Sequence, residues 1–384
     1  MERNNKPMTT AAFIYSDALA KFEYGDDHPF KPLRARSTME LCNRHGLLFA
    51  VSVIRPQPLP ADRSDLELFH TPGYLDLLQR AGEGDHDLAQ LAAGIGSPDC
   101  PVLKGLYDFS RLAVGATLQG IELVMTGTAQ RAFNLLGGFH HAGVDHAEGF
   151  CYVNDIGVGI AKLIGAGHRV AFVDIDAHHC NGVQDRFYGD DRVLTISLHQ
   201  LSDGFYPETG RVSETGTMEG RGYTVNVPLP PETDDEVYVH AFEQVVPPLL
   251  EAYKPDIVIA EIGADTLISD PLTDLRLTSN GYEAVVKTLC EVAPRLVAVG
   301  GGGYDVFRTS NCWTLAFAAM CEIEPEDEYA GLVGGRMYGS EFGGLRDAQI
   351  LTTGEPRRRV QAAVDETVRY VHEAIFPVLE ARRP

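Results

Sequence analysis

The stretch that decides the fold is RVAFVDIDAHHCNG, Arg169–Gly182. Its first half, Val170–Val173, is apolar and rich in β-branched and aromatic side chains, as a strand buried on both faces requires. Its second half sets Asp174, Asp176 and His178 two residues apart, with His179 behind them. Carboxylates carried into a buried strand end cost a great deal unless a cation or hydrogen-bond donors hold them. Residues two apart along a strand face the same side. Asp176 and His178 are therefore expected to aim at one ion.

Similar apolar runs recur along the chain: AAFIYS (11–16), RAFNLLGG (131–138), RVLTISLH (192–199), DIVIAEIGAD (256–265) and RLVAVGGGGY (295–304). Helical patterns separate them, at 105–126, 154–166, 182–188, 234–253, 280–292 and 311–322. A last amphipathic helix follows, with Val360, Val364, Val368, Val371 and Ile375 at helical spacing. Buried strands alternating with helices predict an α/β protein: one three-layer domain over 1–384, its central, mostly parallel sheet covered by helices on both faces. In such sheets ligands bind beyond the carboxyl ends of the strands. His140 and His141 follow LLGGF, Asp176 and His178 close VAFVDID, Asp265 closes VIAEIGA, and Tyr304 follows Gly300–Gly303. The delivery of polar residues by four separate strand ends is the main sign of a site.

Composition bounds the possibilities. With 384 residues and 44% hydrophobic content the chain can bury a large core. A net charge of −22 argues against a general nucleic-acid binder, which needs Lys and Arg for phosphates. It is compatible with basic, lysine-bearing substrates or simply with a soluble surface. The 7 cysteines are scattered and never form Cys-x-x-Cys, so they read as free thiols in a reducing compartment. No apolar run approaches the roughly 20 residues that span a bilayer, and MERNNKPMTTAAFIYSD does not read as a signal peptide. A cytoplasmic protein without membrane or nucleic-acid partners is expected.

Asp176, His178 and Asp265 would supply two carboxylates and one imidazole, a set suited to zinc with an open position, the catalytic rather than the structural pattern. A hydrogen-bonded loop is the plainer reading of any one Asp-x-His. A histidine beside a metal-held water can take its proton and return it to a leaving amine, which suits His140 or His141, though paired histidines also occur as surface residues or caps. Asp174 could orient one imidazole or be satisfied by backbone N–H groups. Tyr304, after four glycines, could donate to an oxyanion or merely pack. Phe150 (in EGFCY) and Tyr206 (in DGFYPETG) could wall an apolar tunnel or only anchor their loops.

Taken together, GGFHHAGVDHAEGFCYVNDI, VDIDAHHCNGVQDRFY, ISLHQLSDGFYPETG, GADTLISDPL and VGGGGY resemble the block series of the metal-dependent histone deacetylases. That family includes the bacterial acetoin-utilisation proteins and has the arginase–deacetylase fold. The resemblance runs from HPFKPLR (28–34) to GGGGYDVFRTSNCW (300–313). It implies a lysine deacetylase in which Asp176, His178 and Asp265 match the zinc ligands, with iron(II) as the other metal of the family. By the same resemblance His140 and His141 match the tandem histidines, the second as general base and acid, and Asp174 the aspartate paired with the first. Tyr304 matches the carbonyl-polarising tyrosine. Phe150 and Tyr206 match the tunnel walls, Gly149 and Gly302 their flanks, Leu272 a further substrate contact and Asp99 the rim aspartate. Asp174, Asp176, His178, Ser197 and Leu198 match a structural potassium site; Phe187, Val193 and Tyr223 match parts of a second.

Three departures stand out. The family's HHGDG is HHCNG here, so Asn181 replaces an aspartate behind the second histidine. Asparagine orients an imidazole without stabilising its cation, and a lower-pKa His141, neutral near neutral pH, is expected. Tyr206 replaces a phenylalanine wall, which bears on acyl preference, and Cys180 replaces a glycine, with tighter packing as its expected effect. His179 is read as packing or support. The resulting expectation is zinc-dependent hydrolysis of Nε-acyl-lysine amides in a protein, peptide or small acylated amine. The rivals are a binuclear manganese ureohydrolase, which would want a carboxylate where Cys180 stands, a polyamine-type deacetylase, and an inactive acyl-lysine sensor.

Overall fold

In the computed structural model, which describes residues 9–325 and 344–381, the decisive stretch forms a central strand of an eight-stranded sheet. In chain order the strands are β1 (Ala11–Ile14), β2 (Val53–Ile54), β3 (Arg131–Asn134), β4 (Val170–Asp174), β5 (Val193–Gln200), β6 (Thr224–Leu229), β7 (Ile257–Glu261) and β8 (Leu296–Val299). Their order across the sheet is β2-β1-β3-β8-β7-β4-β5-β6, with each neighbouring pair parallel. β4, β5 and β7 are buried along their whole length. That is why they read as unbroken apolar runs rather than alternating ones.

Helices cover both faces, and the expected ones are present. They include Leu106–Met125 against β1, β3 and β8, Asp155–Gly165 against β4, and Asp235–Tyr253 against β5. The helix expected at 311–322 begins earlier, at Val306, because the Asp305 side chain accepts the Arg308 N–H and caps it there. In the helix Gly354–Ala374, Val360, Val364, Val368 and Val371 are buried as their spacing implied. No helix among the described residues is long and apolar enough to cross a membrane.

The sheet register does the positioning. Asn134 pairs with Val299, Val299 with Glu261, Glu261 with Asp174, and Asp174 with Ser197. β3, β8, β7 and β4 therefore end on one line, and the loops after them open side by side at the carboxyl edge. One expectation needs correction. β4 stops at Asp174, so Asp176 and His178 do not share a strand face. They are gathered instead by a tight turn in which Asp174 Oδ1 accepts the Asp176 N–H (2.9 Å) and Asp176 Oδ1 accepts the His178 N–H (2.8 Å).

Candidate active site

Asp176, His178 and Asp265 bring one imidazole nitrogen and two carboxylate oxygens within 4.8 Å of one another, all buried. His178 Nδ1 lies 3.1 Å from Asp176 Oδ1 and 3.0 Å from Asp265 Oδ2. Backbone donors hold the other oxygens: Gly302 N–H donates to Asp176 Oδ2 (2.6 Å) and Ala177 N–H to Asp265 Oδ1 (2.8 Å). Burial alone would strip His178 of its proton, but the Asp176 and Asp265 carboxylates hold its pKa up at about 10. Burial raises Asp265 to about 7, helped by the Asp176 charge. A proton between two buried carboxylates stands where a cation would. The donor set, two oxygens and a nitrogen with backbone support behind them, fits a divalent metal with open positions.

The two histidines follow β3 on a loop fixed from beneath. Asp155 accepts the Gly138 N–H (3.1 Å), the Phe139 N–H (2.9 Å) and the Thr117 hydroxyl (2.5 Å). Asn154 caps its helix on Gly157 N–H (2.8 Å) and donates its amide to the carbonyls of His140 (3.2 Å) and Ala142 (3.0 Å). Gly138 has φ +94, and a Cβ there would strike the Gly301 backbone, so the loops after β3 and β8 can touch only through glycine.

His140 Nδ1 lies 2.7 Å from Asp174 Oδ2 and 3.1 Å from Glu261 Oε2. Burial opposes its charge, but Glu261 and then Asp174 outweigh that and hold its pKa well above the ordinary histidine value. Glu261 and Asp174, whose own carboxyls burial pushes upward, thus share the proton that keeps His140 cationic, and its Nε2 lies 3.1 Å from His141 Nε2. His141 is driven the other way, well below the ordinary value, by burial first and then by the charges of His140 and His178. Its Nδ1 meets Asn181 Oδ1 at 2.7 Å. An acceptor there puts the ring hydrogen on Nδ1 and leaves Nε2 with its lone pair, the form a general base needs. The His141 pKa is lowered as expected, but by burial and the His140 and His178 charges; the Asn181 hydrogen bond itself acts upward.

A cavity of about 340 Å³ opens onto these groups, lined by Asp99, His141, Gly149, Phe150, His178, Gly204, Phe205, Tyr206, Leu272 and Tyr304. Most of the expected substrate residues are there together. Gly302 is not among the lining residues; it packs on the ligand carboxylates, and a Cβ on it would strike those of Asp265 and Asp176. Phe150 takes φ 68, a strained conformation for a bulky residue. Tyr24 hydroxyl donating to its carbonyl (3.0 Å) and the His28 ring at 4.7 Å hold it there. His28 Nε2 also meets the Asp99 carbonyl at 3.1 Å, which fixes the rim loop. The Tyr206 ring stands 4.9 Å from that of His141. Tyr304 is placed by its N–H on Asp270 Oδ2 (2.7 Å). Arg34, fully buried, donates to the Gly303 carbonyl (2.8 Å) and to that of Gly301, supporting the glycine run from below.

Of the expected potassium ligands, Ser197 faces Asp174 across the β4–β5 ladder, with Leu198 next to it. At the other expected site, the Phe187 and Tyr223 carbonyls accept the N–H groups of Asp190 (3.0 Å) and Thr195 (2.9 Å), and Val193 begins β5. His179 is buried between Thr209 (2.8 Å) and Gln184 (3.0 Å), a supporting position as read. Cys180 is buried in the core, and all seven cysteines are free.

Sequence reading missed Glu261, Glu148, Asp155, Asp270 and Phe205. Phe205 stacks on His178 at 5.1 Å. Glu261 could have been noticed as a glutamate ending an otherwise apolar buried run, since such a group needs a cationic neighbour.

Comparison with known proteins gives a consistent picture. Residues 28–320 match the histone deacetylase domain. The chain is 40% identical to histone deacetylase 8 of Xenopus tropicalis over 291 residues, which covers 75% of this chain and 78% of that protein. It is 35% identical to histone deacetylase B of Dictyostelium discoideum over 329 residues, 85% of this chain and 77% of that one. A crystal structure of a deacetylase homologue from Aquifex aeolicus superposes with a TM-score of 0.83 at 30% identity, covering 94% of this chain and all of that one. A homologue solved in complex with SAHA gives the same TM-score at 29% identity and the same coverage.

Proposed function

The chain belongs to the histone deacetylase family, and we propose that it hydrolyses Nε-acyl-lysine amides with zinc, or iron(II), at Asp176, His178 and Asp265. The observation that carries this reading is that His178, clustered with Asp176 and Asp265, lines one aromatic-walled cavity together with His141 and Tyr304. The bound metal would lend Lewis acidity to the acyl carbonyl and acidify an attacking water.

The remaining chemistry belongs to the chain. An acyl-lysine side chain passes between Phe150 and Tyr206, with Asp99 and Leu272 at the mouth and Gly149 leaving room beside His141. His141 Nε2 takes the proton of the attacking water and passes it to the departing lysine amine. The His140 imidazolium, held by Asp174 and Glu261, stabilises negative charge developing nearby. Tyr304 donates to the carbonyl oxygen as the tetrahedral centre forms. Burial and the Asp265 and Asp176 charges raise its pKa well above the ordinary tyrosine value, which keeps it a donor.

Potassium is assigned a structural role at Asp174, Asp176, His178, Ser197 and Leu198, where it would offset buried carboxylate charge, and a second ion at Phe187, Val193 and Tyr223. One catalytic domain over 1–384 and a cytoplasmic setting complete the proposal. The seven free, buried thiols support a reducing compartment.

The test is a rate comparison across acetyl-, propionyl-, lactyl- and longer acyl-lysine peptides together with acetylated polyamines. Acyl-lysine peptides are expected to turn over fastest. Hydrolysis of polyamines alone would move the chain to the small-molecule amidohydrolases, and binding without turnover would make it a sensor.

A further inference from the structure

We infer that Glu148 is a positioning residue that sets which way the Asn181 carboxamide faces, and thereby which nitrogen of His141 carries the hydrogen. The inference deepens the proposed function and rests on His141 acting as the base.

A carboxamide has two ends of nearly the same shape and opposite hydrogen-bonding sense. With Asn181 Oδ1 at 2.7 Å from His141 Nδ1, the ring hydrogen lies on Nδ1 and Nε2 is free. Turned over, the amide would present its NH2 group to Nδ1, and the ring would have to set its Nδ1 hydrogen against that group or move it to Nε2 against the His140 Nε2–H 3.1 Å away, so that either choice disturbs the base. A carboxylate at this position would carry no such ambiguity, since both its oxygens accept. The departure from HHGDG to HHCNG therefore creates a need for something that selects one orientation of the amide.

Glu148 meets that need. Asn181 Nδ2 donates to Glu148 Oε2 at 3.3 Å. An ionised carboxylate only accepts, so the turned amide would lose this bond and set oxygen against oxygen. The glutamate is kept ionised by its neighbours, His146 first, with Nε2 3.4 Å from Oε2. Its backbone is fixed by reciprocal bonds with Cys151 (Glu148 N–H to Cys151 O, 3.1 Å; Cys151 N–H to Glu148 O, 2.9 Å). The next residue, Gly149, lies so close to His141 that a Cβ would strike its ring. The loop that walls the tunnel thus also orients the base, and the carboxylate absent from position 181 acts from one residue farther out.

The test compares Glu148→Ala in the parent chain and in an Asn181→Asp background, on zinc-loaded enzyme with an acetyl-lysine peptide. In the parent, kcat is expected to fall roughly 2- to 10-fold, because loss of a charge-assisted bond lets the amide populate both orientations. In the Asn181→Asp background the same substitution is expected to cost nothing, since a like charge is removed from beside an aspartate. Nitrogen NMR of histidine-labelled, metal-free protein supplies a readout independent of turnover: an Nδ1–H His141 in the parent and a tautomer mixture in Glu148→Ala. Equal kcat losses in both backgrounds, or an unmoved tautomer signal, would overturn the inference. A His141→Ala protein that kept its rate would instead sink the base assignment, which the tautomer signal does not test.

Discussion

Removing a single oxygen from Tyr304 tests the chemistry with little disturbance of the fold. The Tyr304→Phe ring keeps its place, because Tyr304 is positioned through its main chain: its N–H donates to Asp270, and Arg34 donates to the Gly303 carbonyl before it. Its ring stands edge-on to Phe150 at 5.7 Å and to His178 at 6.4 Å, contacts that a phenyl group retains. Stability should change by less than about 1 kcal/mol. Catalysis should change far more. If the phenol, kept protonated by burial and the Asp265 and Asp176 charges, is the oxyanion donor, its loss should cost about 10²–10³ in kcat, or about 2.7–4 kcal/mol. Since the donor acts on charge that develops only in the transition state, kcat and kcat/KM should fall together with KM unchanged. The assay is initial rate against acetyl-lysine peptide concentration, with metal content and thermal midpoint matched to the parent. A variant within about threefold of the parent kcat at equal metal loading would refute the assignment of Tyr304 to the oxyanion.

Two other perturbations reach the support beneath the site. Gly302→Ala should abolish metal retention while leaving the sheet intact, since its Cβ would strike Asp265 and Asp176; full metal content after gel filtration would contradict the packing argument. His70 is held neutral by burial, its pKa lowered from 6.5 to about 3, and its Nε2 accepts the Asn154 N–H at 2.9 Å. The unfolded chain takes up that proton near 6.5, so this stabilisation is complete above about pH 6.5 and lost as pH falls through about 3. His70→Gln should flatten the fall of the urea midpoint across that window, and an unchanged acid limb would exclude His70 as its source.

The fold was legible wherever burial on both faces leaves an unbroken apolar run. β1, β3, β4, β5, β7 and β8 were read that way, and β2 and β6 were not. β2 is two residues long, too short for any pattern. β6 contains Asn226 and Pro228, and a proline argues against a central strand; β6 lies at the sheet edge, where the missing N–H costs little. The site was legible to the extent that its residues follow strand ends. Asp176, His178, Asp265, His140, His141 and Tyr304 all do. Glu261, Asp155 and Glu148 act across the fold on partners 121, 16 and 33 residues away, and no local spacing marks a carboxylate whose partner comes from another loop.

Metal analysis paired with turnover decides whether hydrolysis works through one metal held by Asp176, His178 and Asp265. Acetyl-lysine hydrolysis is expected to be lost on chelation and restored by zinc, and an Asp265→Asn protein is expected neither to hold the catalytic ion nor to turn over. Hydrolysis that survives complete removal of the metal, or activity that requires two manganese ions per chain, would contradict a mechanism through that one metal.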